Sequence, residues 1–62
     1  MLFDVLLKTD NQEERFKIYE KLIYYVLIGK MTMGDLLAGL RHLKGGYLLE
    51  FFDYVVQNKK GE

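Results

Sequence analysis

Apolar positions in the middle of the chain recur at helical spacing. At about 100° per residue, Phe16, Tyr19, Leu22, Ile23, Val26 and Leu27 fall on one arc, which predicts the core face of a long helix over about 11–29. Asp10 is expected to cap its start, because Glu13 follows at the spacing that lets its carboxylate return a hydrogen bond to the Asp10 amide. Gly29, with Lys30 beside it, marks the far end as the residue best suited to a left-handed backbone. The opposite face begins charged and ends apolar, through Lys17, Lys21, Tyr24 and Ile28. A helix that is apolar on both sides needs cover on both sides. Either the N-terminal segment of the same chain or another molecule must supply it.

A second capping signal, Thr32 with Asp35, opens a helix over about 33–44, and Gly45-Gly46 ends it. Met33, Leu36, Leu37, Leu40 and Leu43 form its apolar arc, leaving Gly34, Asp35, Ala38, Gly39, Arg41 and His42 outside. An interior glycine costs about 1 kcal/mol relative to alanine, a loss that close approach by another helix would offset. Gly34 lies in the first turn, where the cost is smaller, and Gly39 is otherwise simply tolerated.

The last segment, about 47–58, is rich in aromatic and β-branched residues and reads as a strand by propensity alone. Glu50, Asp53 and Gln57 nevertheless fall at i, i+3 and i+7, a single polar stripe on a helix. The segment is therefore expected to be helical, with Leu48, Leu49, Phe51, Phe52, Val55 and Val56 on an arc of about 160° flanked by Tyr47 and Tyr54. That arc is wider than one neighbour needs. Residues 1–8 contain Leu2, Phe3, Val5, Leu6 and Leu7 with Asp4 and Lys8 at i, i+4, which suits a short helix docked on the rest, although a strand is also open. The expected fold is all-α: one small domain over 1–62, a bundle of three main helices plus a short N-terminal helical segment.

Length sharpens the packing problem. A chain of 62 residues with 50% hydrophobic composition buries only about 60% of the surface it exposes when unfolded, and its large apolar groups outnumber what a three-helix core of this size absorbs. With no cysteine and a single histidine, neither disulfides nor a zinc site can staple it. Self-association is the remaining route to more burial.

Little in the sequence points to catalysis. Ser and Cys are absent, and the two remaining hydroxyl candidates, Thr9 and Thr32, have no general base beside them. His42 and Asp35 share a face but lie about 10 Å apart along a helix, too far for a direct hydrogen bond. The pairs Glu13-Glu14 and Glu50 with Asp53 read as solvated helix faces, and Gly45-Gly46 lacks the spacing of a phosphate loop. No enzyme, metal or cofactor is expected.

Nine basic and nine acidic side chains cancel, so there is no global attraction to nucleic acid. Residues 29–40, with a capping Thr32, acidic Asp35 and the Leu36-Leu37 pair, resemble the opening of the first helix in a helix-turn-helix motif. That resemblance covers about a fifth of the chain and implies DNA binding as an alternative function, with Arg41, His42, Lys44, Lys59 and Lys60 forming a basic patch if the C-terminal tail returns to the Gly-Gly turn. Against it, the next helix carries Glu50 and Asp53 on its polar face. A membrane-surface role for 18–28 is weakened by Glu13, Glu14 and Glu20 among the lysines. The longest apolar run, Leu22 to Ile28, is seven residues against the roughly 20 of a membrane span, and the first residues lack a basic signal region, so a cytoplasmic location is expected.

The function expected from these features is that of a small non-enzymatic regulator. It would form a homodimer and bind another protein through Tyr24, Ile28, Tyr47, Phe51 and Tyr54, as a stoichiometric inhibitor or modulator.

Overall fold

A computed structural model describes residues 2–60, with side chains described for 3–58. Four helices follow one another, α1 (Leu2–Leu7), α2 (Gln12–Leu27), α3 (Met33–His42) and α4 (Tyr47–Lys60), and no strand is present among the described residues. The all-α bundle expected from periodicity is the observed architecture.

The boundaries follow local chemistry. The start of α2 is capped by Asn11 rather than Asp10: Asn11 is extended (φ −93°, ψ 126°) and its side chain accepts a 2.8 Å hydrogen bond from the Glu13 amide. Asn and Asp serve equally well as caps, so the residue next to the first helical position takes the role. At the other end Gly29 has φ 81°, and the Gly29 and Lys30 amides donate to the Val26 and Tyr25 carbonyls, the paired bonds of a Schellman turn. Thr32 caps α3 as expected, accepting from the Asp35 amide at 3.0 Å. The helix ends at His42, two residues before Lys44, because Leu43 becomes extended and packs at the margin of the core. Gly45 and Gly46, at φ 128° and 75°, then reverse the chain.

Leu6, Ile18, Tyr19, Leu22, Leu36, Leu40, Phe51 and Tyr54 form the buried core. Tyr19 stands at its centre, with the Phe51 ring 5.7 Å away edge-on and the Phe16 and Tyr54 rings each at 6.1 Å. Contacts between Arg15 and Glu50 near the start of both helices, and of Tyr54 with Phe16 and Tyr19 further on, mean that α2 and α4 run in the same sense with α3 returning between them.

The docking of α1 shifts the buried face of α2. Leu6 is fully buried, and the trough beside α1 is lined by Val5, Thr9, Glu14, Lys17, Ile18 and Lys21. Ile18, outside the expected core arc, is thereby buried, whereas Leu27, placed inside that arc by periodicity, is 78% exposed at the last turn of α2. Phe3 lies across α3 at Gly39, which is half-buried rather than outward-facing. The principal extents are 30 × 26 × 16 Å, the smallest of which holds about two helix layers.

Candidate interaction surfaces

The outer end of α2 is the first uncovered apolar region. Tyr24 and Ile28 are 57% and 45% exposed, because α1 packs against the Ile18 side and does not reach them. Leu27 extends this patch. It adjoins a trough of about 370 Å³ between α2 and α4, bordered by Glu20, Lys21, Ile23, Tyr24, Leu27, Tyr54 and Asn58.

The second region lies on α4. Of the residues expected at an interface there, Phe51 and Tyr54 are only 2% and 6% exposed and belong to the chain's own core, and Tyr47 is half-buried. The outward apolar positions are instead Leu49, Phe52 and Val56. The expected arc was wide enough to contain both sets, and contact with α2 and α3 selects which edge turns inward. Alongside runs a groove of about 650 Å³ between α3 and α4, lined by Gly34, Leu37, Ala38, Arg41, His42, Leu48 and Phe52.

Arg41, His42 and Lys44 are exposed where α3 meets the Gly-Gly turn. The side chains of Lys59 and Lys60 lie outside the described residues, but their backbone continues α4, carrying them about 18 Å along the axis from Tyr47. The α4 backbone thus runs away from the turn, and of the residues expected in a basic patch Arg41, His42 and Lys44 are the ones whose described side chains share that end of the molecule.

Between α2 and α4 is a polar feature that the sequence reading missed. Arg15 Nε and Nη2 donate to Glu50 Oε1 and Oε2 at 2.6 and 3.0 Å, a bidentate pair, and Arg15 Nη1 donates to the Thr9 carbonyl at 3.0 Å. Tyr19 Oη donates to Glu50 Oε1 at 2.7 Å. Glu50 is thus a part-buried acceptor rather than a member of a solvated stripe. The Arg15 hydrogen bonds hold its carboxyl below the usual carboxylate range, and the same bonds raise the guanidinium. Burial, helped by Glu50, pushes the Tyr19 hydroxyl above the ordinary tyrosine value. Three of the five guanidinium N–H groups and the Tyr19 hydroxyl are taken up within the fold, which marks the cluster as a structural clamp. Its only signal in the sequence is that Glu50 and Arg15 each border an aromatic-rich face.

Among the described residues, no three potential ligands gather to hold a metal ion, and no helix is long and apolar enough to cross a membrane. No family model, curated protein or solved structure matches this chain.

Proposed function

We propose that this chain is a small, non-enzymatic regulatory protein that self-associates and binds a second protein through an apolar, tyrosine-bearing helical surface. The observation that supports this reading is the uncovered end of α2. Tyr24, Leu27 and Ile28 stay exposed even with α1 docked, in a chain too small to leave large apolar groups in water without cost. Tyrosine suits an interface because its ring supplies rigid contact area while its hydroxyl tolerates solvent. Binding would occlude a partner's working surface, so the chain would act stoichiometrically as an inhibitor or modulator in the cytoplasm.

The test is a photo-crosslinking phenylalanine analogue at Tyr24, expressed in the cell that naturally carries the protein. A crosslinked heterologous species that disappears when Leu27→Asp is added is the expected result. No crosslink beyond the chain itself would remove the second-protein half of the reading.

A further inference from the structure

We propose that the outward face of α4 docks a second copy of this chain, with the two α4 helices side by side and parallel about a two-fold axis. This rests on the self-association half of the proposed function and assigns it to a face distinct from the α2 end.

Leu49, Phe52 and Val56 are 71%, 47% and 57% exposed at i, i+3 and i+7, the spacing of a helix-pairing seam. Beside the seam, Ala38 and Gly34 keep the α3–α4 groove low. A Cβ at Gly34 would meet only the Thr32 hydroxyl, at 3.7 Å, so a side chain from a second molecule has open space to enter. The chain exposes 4787 Å², against roughly 4,200 Å² for a monomer of its mass, an excess of about 600 Å² that a second copy would help to cover.

Charge selects the orientation. Arg41 and His42 border the seam on its α3 side, where Leu48 and Phe52 also lie. Asp53, about 100° beyond Phe52 around the helix, is exposed on the other flank. The sole ion pair among the described residues is Arg15 with Glu50, so these charges are free to pair between molecules. An antiparallel pair would set Asp53 against Asp53 and Arg41 against Arg41. A parallel pair about a two-fold instead sets each Asp53 against the other copy's Arg41 and His42, with two favourable contacts in place of two repulsions.

The experiment is light scattering on the full chain over about a hundredfold dilution, joined to single-cysteine oxidation, which the cysteine-free sequence permits. Wild type is expected at twice the chain mass, and Leu49→Lys as a monomer with unchanged helicity. Val56→Cys and Leu49→Cys should each form a covalent dimer, since a parallel two-fold brings like positions within disulfide reach. Arg41→Asp and Asp53→Arg should each weaken the dimer about fivefold, and the double swap should restore it. A dimer that survives Leu49→Lys but dissolves with Tyr24→Asp would overturn the assignment and leave self-association standing. Crosslinking only in a mixture of the two cysteine variants would overturn the parallel arrangement. A wild-type monomer at every concentration would remove self-association itself, and the Tyr24 crosslink would still judge the second partner.

Discussion

The ring of Phe3 occupies the space that a side chain at position 39 would need. A Cβ built on Gly39 falls within 2.8 Å of both Cε1 and Cε2 of Phe3, closer than real Cβ contacts come. The glycine therefore lets α1 lie against α3, and the close approach that its position suggested takes place inside the chain.

Gly39→Ala should accordingly destabilise the fold by about 1–3 kcal/mol despite alanine's better helix propensity, because Phe3 must leave its place. The cost should shrink in a Phe3→Ala background. Gly34→Ala, with only ordinary contacts nearby, should be neutral or stabilising by a few tenths of a kcal/mol. Urea unfolding of all four variants at one protein concentration checks the contrast, and equal effects at both glycines would refute it.

The Arg15–Glu50 pair makes stability depend on acid in a defined direction. Because the folded-state carboxyl of Glu50 sits below its ordinary value, its contribution is fully present above the usual carboxylate range and is lost as pH falls through the lowered folded value. Thermal melts should show wild type more stable than Glu50→Gln at neutral pH. The gap should close in acid, and a gap constant with pH would show that the carboxylate charge is immaterial.

Tyr19 gives the opposite dependence at the alkaline end. Its folded-state value is raised, so its contribution is intact below the free tyrosine value of about 10 and falls away as pH rises from there through the raised value. Ultraviolet titration should find Tyr19 ionising only above the ordinary tyrosine value while the fold persists. Tyr19→Phe should remove that late step and cost about 1 kcal/mol, the scale of one hydrogen bond.

Leu27→Asp should change stability by no more than about 0.5 kcal/mol at fixed association state, since this side chain is 78% exposed. Ile18→Ala should cost about 2–4 kcal/mol by opening a cavity beneath α1. Denaturant midpoints of the two variants decide whether the face of α2 turned toward α1 is as described.

This last contrast shows where sequence reading stops. The three longer helices, the Thr32 cap and the Gly29 and Gly45-Gly46 turns depend on residues close in sequence and were legible, whereas α1, open between helix and strand, was settled by its docking. A periodic arc describes a face toward one neighbour, but α2 has three, so Ile18 and Leu27 exchanged their expected environments. Likewise Phe51 and Tyr54 were expected outside and lie in the core, because a wide apolar arc does not say which edge turns inward. The Arg15–Glu50 pair spans 35 residues, and no local pattern links two such positions. Tyr24 and Ile28 are exposed as expected, whereas Leu49, Phe52 and Val56 emerged as a surface only once α4 had been packed.

Arg15 touches the linker after α1 through the Thr9 carbonyl and touches α4 through Glu50. One guanidinium thus ties both extremities of the polypeptide to the same point on α2. Detaching α4 frees the hand that grips the first linker, so the two ends should loosen together. In native-state hydrogen exchange the amides of α1 and α4 would then open as one cooperative unit, and the middle of the chain would be the last part to let go.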